Sequence, residues 1–417
     1  MHKQSLIILL FPLLLASCSS FGLKKNKDIV ELTPQLLLES DEAIFLGSSN
    51  KSPIFDSRMF KNKEFNIAKH KIIAKPVFSK GVVYTIDDKG IVSAFSIKNK
   101  VVLWSRNISS NQSNQYIGGG ILCSGGKLYV TYGSRFLVVL NSDSGHEVIR
   151  KEMPDIIRTS PILVNNKMIV VQTLSNQVFA IDLNNLNPIW QHEGFVETLS
   201  SSYHVPPIAE GGKVIINYNS GQIVALDAKN GQLLWNDDLS DQKNIGIPNY
   251  ETASILCEPI INYPYLYLAN SAGKIVKFDI NNGNIIWQIK AEDIQSMTLE
   301  GNSLFVTNNA LQFAVISTNS GKVKFAADLK EDLKNKKAKA NSFLPPIISH
   351  TNNSDWSVNI VSSRGQLYSF KLGSNGKLIS TPFVTKIPAK VLHSGITCCG
   401  SIYFTTEKGI ILSESKK

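Results

Sequence analysis

Five cysteines, seven histidines and a recurrent aspartate are the side chains in this sequence with the most chemistry to offer. Cys398 and Cys399 are adjacent, a vicinal pair that can close into a disulfide or stay as two thiols. Cys123 and Cys257 are isolated, and only the fold can decide whether they meet. His2, His70, His146, His192, His204, His350 and His393 form no His-x-His or i,i+4 pair, so no local metal motif is present. Neither a glycine-rich phosphate loop nor a nucleophile elbow occurs. Asp182 precedes Leu186 by four residues, and Asp227 and Asp279 precede Gly231 and Gly283 by the same interval. At that spacing a carboxylate is better suited to holding turn amides than to acting as an acid or a metal ligand. The expectation is no catalytic residue, no metal, no cofactor, and a protein that is not an enzyme.

Cys18 differs because of what precedes it. Met1 to Gln4 is a short basic head, Leu6 to Leu15 is apolar apart from Pro12, and Leu15, Ala16 and Ser17 lead into the cysteine. The apolar stretch is too short to span a bilayer and suits the core of a secretory signal. An aliphatic residue, two small ones and Cys resemble the bacterial lipobox. That resemblance implies that residues 1–17 are a removable lipoprotein signal peptide and that Cys18 becomes a lipidated N-terminus carrying acyl chains such as palmitate. Several chains at about 0.8 kcal/mol per buried CH₂ make such an anchor effectively permanent. Ser19 and Ser20, with no Asp following the cysteine, imply by the same resemblance the outer membrane, facing the periplasm. Residues 18–54 read as a tether, with a lysine cluster at Lys24, Lys25 and Lys27 and a helix start at Thr33 and Pro34.

The elements that position everything else are written as a repeat. Gly221, Asp227, Gly231 and Trp235 overlay Gly273, Asp279, Gly283 and Trp287 without a gap. The same frame, six residues to the Asp position and eight more to the Trp position, runs from Gly90 through Ser96 to Trp104. It recurs from Arg135 through Asn141 to Ile149, from Asn176 through Asp182 to Trp190, from Leu311 through Ser317 to Phe325, and from Gly365 through Lys371 to Ile379. An eighth copy begins at Gly409 and is cut short at Lys417. Consecutive Asp positions lie 45, 41, 45, 52, 38, 54 and 44 residues apart. Upstream of five copies stands a proline before an aliphatic residue: Pro76, Pro161, Pro207, Pro259 and Pro346. A first strand tolerates the missing N–H there, a turn and an apolar strand follow, and each copy specifies two hairpins.

This period belongs to β-propeller blades. The expected fold is all-β, an eight-bladed propeller of four-stranded antiparallel blades over residues 55–417. Trp104, Trp190, Trp235, Trp287 and Phe325 are expected to wedge between neighbouring blades. Because the last copy lacks an outer strand, and a ring cannot close on an unpaired edge, the alternating stretch from Arg58 to Ile67 is expected to zip onto the C-terminal hairpin around Gly400 to Phe404. The length of 417 residues alone suggests two or three domains, but the repeat makes one ring. Composition agrees, since 43% hydrophobic and 18% charged side chains exclude a disordered chain. The excess of 43 basic over 33 acidic residues, +10, falls to +9 once Lys3 leaves with the signal. It is spread without a basic run, which argues against a nucleic-acid partner.

The blade pattern resembles the quinoprotein-type (PQQ-like) propeller repeat from residue 70 to the end. A lipobox followed by eight such blades resembles the BamB family of outer-membrane β-barrel assembly lipoproteins. The resemblance implies a non-enzymatic scaffold that binds the POTRA domains of BamA and other assembly subunits and assists unfolded outer-membrane protein substrates. It also implies contact through loops entering blades 4 and 5, which places candidate partner residues at Glu197, Thr198, Leu199, Ser200, Ser201, Tyr203 and His204, and at Glu251, Ile255, Leu256 and Glu258. The rival class is a small-ligand or PQQ-binding propeller, to which some quinoprotein alcohol dehydrogenases contribute a vicinal cysteine pair early in the chain. Cys398 and Cys399 instead fall just before the strand starting at Gly400. A cell-envelope scaffold with another partner is a third reading. The lysine-rich insertion from Asp328 to Lys339 reads as a short solvated helix with a basic end. Deleting residues 55–68 should open the ring, seen as a lowered thermal midpoint; an unchanged midpoint would refute closure by this segment.

Overall fold

The computed structural model describes residues 60–415 apart from 110–117, 195–204, 219, 240–253, 256, 330–341, 351–354, 374–377, 388, 399–400 and 408. The signal, Cys18 and the tether lie outside the described residues, as does the insertion beyond Leu329. Within them the chain forms eight four-stranded antiparallel sheets. Seven are continuous in sequence, spanning residues 77–107, 119–152, 162–193, 208–238, 260–290, 294–328 and 347–386. The fourth shows the common plan: Ile208–Glu210, Lys213–Asn217, Gln222–Asp227 and Leu233–Asp238, each paired with the next. Pro76, Pro161, Pro207, Pro259 and Pro346 each stand immediately before a first strand, where no ladder hydrogen bond is asked of them.

Two faces follow from this plan. The turn face carries the turns between first and second and between third and fourth strands. The link face carries the middle turns and the chain segments that run from one blade to the next. A side chain at the end of the second strand or one residue past it often ties the middle turn: Asn270, Asn308 and Asp87 each accept the backbone N–H four residues on, at 2.9 to 3.0 Å. In seven blades the residue at the first position of the repeat then accepts an N–H from just beyond the outer strand, as Gly221 does from Leu239 at 3.0 Å.

The eighth sheet joins the chain ends. Val391–Cys398, Ser401–Thr406 and Gly409–Ser415 supply three strands, and Phe60–Asn66 supplies the outer one, pairing Phe60 with Ser415 and Asn66 with Gly409. The N-terminal strand therefore lies against Gly409–Ser415, the far arm of the hairpin rather than the 400–404 arm. Phe65 and Ile67 carry the closure inward, packing with Val83, Phe95, Ile97 and Tyr403. Lys100 of blade 1 lies 5.2 Å over the Phe65 ring and 5.8 Å over that of Tyr403.

The core is not central. It consists of eight apolar clusters, each made by two consecutive blades and the last by blades 8 and 1. Middle strands are accordingly buried on both faces, while outer strands such as Leu233–Asp238 alternate between buried and exposed positions. The repeat's tryptophan and its second glycine meet across these junctions. Trp190 donates its indole N–H to Ala228 O at 3.0 Å, Trp235 to Ile280 O at 2.9 Å, and Trp104 and Trp287 make the same bond to Ser142 O and Thr318 O. A Cβ at Gly231 would stand 2.7 Å from the Trp190 ring, and one at Gly283 would stand 2.8 Å from that of Trp235. These glycines also turn the chain at φ of 72° and 76°. Where blade 2 has Ile149 in place of Trp, blade 3 has Leu186 in place of Gly, 1% exposed at φ 58°. Both departures fall at one junction, where Leu186 packs into the cluster shared by blades 2 and 3. At the blade 6 and 7 junction Phe325 packs with Phe313, Phe370, Phe305 and Trp356.

Blade 7 departs from the six-and-eight frame. In blades 1 to 6 the residue two before the Asp position pairs with the wedge, as Ala225 does with Trp235. In blade 7 Ser369 pairs with Phe383, so four more residues separate the paired positions and Ile379 does not stand opposite Ser369. Ile379 is 53% exposed. Truncating Trp190 to Ala should cost about 3–5 kcal/mol, and Gly231→Ala should cost more than about 1 kcal/mol, combining left-handed backbone with the clash. In the double variant the costs should fall well short of additive, because removing the indole relieves the clash; strict additivity in thermal unfolding would show that the ring and the glycine do not compete for space.

Candidate functional site

The link face between blades 3 and 5 is where two long connections enter neighbouring blades, and their ends are held firmly. Gly194 donates its N–H to Asn176 O, and Val205, 6% exposed, leads into Pro206 and Pro207. Leu239, 3% exposed, and Ser254, 4% exposed, close the second connection, and Asn270 and Ser271 tie its two ends. The Asn270 amide donates to Leu239 O at 3.2 Å, while Ser254 O accepts from Ser271 N. Between these fixed points Glu197, Thr198, Leu199, Ser200, Ser201, Tyr203, His204, Glu251 and Leu256 lie outside the described residues. Ile255 and Glu258 are described and do different things. Ile255 is 5% exposed, bridges Asn270 and packs in the core shared by blades 4 and 5. Glu258 is half exposed and reaches inward.

Its partner is Lys75, at 2.7 Å. Lys75 precedes the first strand of blade 1 and Glu258 that of blade 5, four blades on in a ring of eight, so the pair spans the link-face mouth of the axis. With both side chains about half exposed, at 55% and 51%, water screens the pair and its contribution to stability is small. The pair also acts on His393, in the innermost strand of blade 8. Burial, reinforced by the Lys75 charge and partly offset by Glu258, brings that imidazole down from 6.5 to about 4. Next to Glu258, burial pushes the Cys257 thiol up to about 12, with the carboxylate adding to it. Cys257 and Cys123 are both free thiols. Cys398 ends the first strand of blade 8, paired with Ser401, and Cys399 lies outside the described residues.

Lys277 was not marked by its chemistry in the sequence, yet it is 4% exposed. Its ammonium donates to Thr318 O at 2.9 Å and sits 3.6 Å over the Tyr265 ring, and burial lowers its pKa. Other copies place Ala94, Val139, Ala180, Ala225 or Val315 there, so the signal was an out-of-pattern lysine within the repeat. Enclosed between two blades, it joins blade 5 to blade 6 rather than meeting a substrate. Among the described residues no group of three or more His, Cys, Asp or Glu is placed to hold a metal ion. What the site offers is a rigid rim presenting two adjacent loops, and that arrangement suits recognition of another protein.

Comparison with known proteins bears on the fold and the family. The family described as outer membrane protein assembly factor BamB matches residues 111–327. The uncharacterized protein RP232 of Rickettsia prowazekii is 45% identical over 410 residues, 98% of this chain and 99% of its own. Outer membrane protein assembly factor BamB of Nitrosomonas eutropha is 22% identical over 304 residues, 72% of this chain and 71% of that one. Among solved structures, BamB from Moraxella catarrhalis superposes with a TM-score of 0.65 at 16% identity, covering 84% of this chain and 99% of that chain.

For His393 the sign of the pH effect follows from its depressed pKa. Below about 6.5 the unfolded chain takes up a proton that the folded chain refuses until about 4, so stability falls across that window as pH drops. The loss should be on the order of 3 kcal/mol at most. His393→Gln should flatten the thermal midpoint between pH 6.5 and 4; an equally steep decline in that variant would place the acid sensitivity elsewhere.

Proposed function

The chain belongs to the outer membrane protein assembly factor BamB family, and from that premise we propose that it is a non-enzymatic scaffold of outer-membrane protein assembly. In this reading Cys18 is lipidated, the ring faces the periplasm from the outer membrane, and the protein binds the POTRA domains of BamA. It thereby helps β-barrel substrates to fold and insert. One observation carries the reading: the two connections entering blades 4 and 5 are anchored side by side on the link face, at Gly194, Val205, Leu239 and Ser254. Rigid bases limit the ordering entropy that loops lose on binding, which favours recognition by a preformed surface.

The partner residues proposed on these loops are Glu197, Thr198, Leu199, Ser200, Ser201, Tyr203, His204, Glu251, Leu256 and Glu258. Glu258 would have to exchange Lys75 for a partner group. Because the existing pair is half exposed, that exchange is cheap. Ile255 supports the second loop from within the core. Crosslinking in intact cells followed by mass spectrometry should recover BamA with peptides from residues 195–204 or 240–258. Recovery of no barrel-assembly subunit would remove this reading, and a tightly held chromophore with calcium would replace it with the quinone-cofactor one. Radiolabelled palmitate should enter the wild-type chain and not the Cys18→Ala variant.

A further inference from the structure

An outer strand has no neighbouring strand on its far side, so apolar residues there meet solvent unless something covers them. Val101, Val102 and Leu103 open the outer strand of blade 1 at 50%, 40% and 48% exposure, and Ile379 of blade 7 is 53% exposed. These strands flank blade 8, whose outer strand is the one reached from the N-terminal chain. Phe60 pairs with Ser415, the end of the third strand at the turn face. The same strand position is exposed in blades 2 to 5, at Val148, Ile189, Leu233 and Ile285 among others, but the 59 residues before Phe60 join the ring on the turn face between the edges of blades 7 and 1. Lys80 and Lys98 stand exposed in the two turns of blade 1 at the same end, and those turns contain no acidic residue.

Aliphatic side chains beside lysine head groups fit the interface of an anionic bilayer, the former entering the acyl boundary and the latter meeting lipid phosphates. Where the preceding chain ends selects this occupant over another protein, because the proposed lipidated Cys18 lies at its start. From Cys18 to Phe60 is 60 − 18 = 42 residues, which reach no further than about 150 Å even fully extended. The rim beside Phe60 is the part of the ring attached to that span, and tethering raises its effective concentration at the surface. We infer that the blade 1 rim, Lys80, Lys98 and Val101 to Leu103, docks on an anionic phospholipid surface. Resting on the anchor reading, this gives the ring an orientation, with the turn-face rim of blades 7, 8 and 1 toward the membrane and the loops of blades 4 and 5 on the opposite side of the ring.

The test uses the full lipidated protein in vesicles of phosphatidylethanolamine and phosphatidylglycerol, with a fluorescent amino acid introduced by codon suppression at Leu103 or, on the link face, at Lys89. Lipids brominated in the acyl chain should quench the probe at 103 several-fold more than the probe at 89. The Lys80→Glu, Lys98→Glu variant, or vesicles of phosphatidylcholine alone, should abolish the difference. Equal quenching at both sites, or quenching at 103 that survives charge reversal, overturns the inference. So does a blue shift at 103 without lipid quenching, which would mark contact with a second copy. Flotation separates the anchor from the rim: if the Cys18→Ala protein floats with vesicles as wild type does, the anchor reading fails. The rim is then judged on that protein at millimolar lipid, where selective quenching at 103 supports docking and its absence refutes it.

Discussion

No blade of this protein has a core of its own. A four-stranded sheet this small cannot bury its apolar residues against itself, and each sheet here is covered on both faces by its neighbours. A chain of such interfaces ends in an uncovered face at each end unless it closes. The pairing of Phe60–Asn66 with Gly409–Ser415 is that closure, and the apolar cluster behind it joins blade 8 to blade 1. Everything else inherits its position from this requirement, including the axis, the two faces and the spacing of the loops.

The junctions are built from one contact used repeatedly and varied where the sequence departs from its pattern. A tryptophan lies on the glycine turn of the next blade and donates its indole N–H to that turn's backbone. Between blades 2 and 3 both partners are exchanged, Ile149 for the tryptophan and Leu186 for the glycine, and Leu186 is buried in the cluster the two blades share. Between blades 5 and 6 a buried lysine is added to the tryptophan, held by the same carbonyl, Thr318 O, and by two tyrosine rings. Between blades 6 and 7 an aromatic cluster replaces the motif. Packing at native density leaves few other solutions, since each ring must meet either a missing Cβ or a compensating cavity.

Such a ring holds its two faces rigidly apart, which suits a protein whose work is to position others. Family membership places it among outer-membrane assembly factors, and the proposed roles divide between the faces. The link face carries the paired loops and the ion pair across the axis, and the turn face receives the N-terminal chain. Lys75, Glu258 and His393 come from blades 1, 5 and 8, so their meeting at the axis belongs to the ring as a whole.

The periodic spacing of Gly, Asp and Trp was sufficient to read blade number, strand order within a blade, the turns and the need for a closing strand, because each depends on residues within about forty-five positions of one another. It was also sufficient to show where the pattern broke at Ile149 and Leu186, whereas Lys277 stood out only once its burial between two blades was seen. It misjudged blade 7, where Ile379 keeps the interval but four extra residues give the position opposite Ser369 to Phe383; register is a property of pairing, not of counting. The tertiary structure alone decided which arm of the last hairpin receives the N-terminal strand, that Glu258 reaches Lys75, that His393 lies partly buried beside both, and that Ile255 turns into the core. Those facts join residues up to 355 positions apart, Phe60 and Ser415 being the furthest. No local propensity encodes such meetings, because only closing the ring brings the first and last blades to one axis.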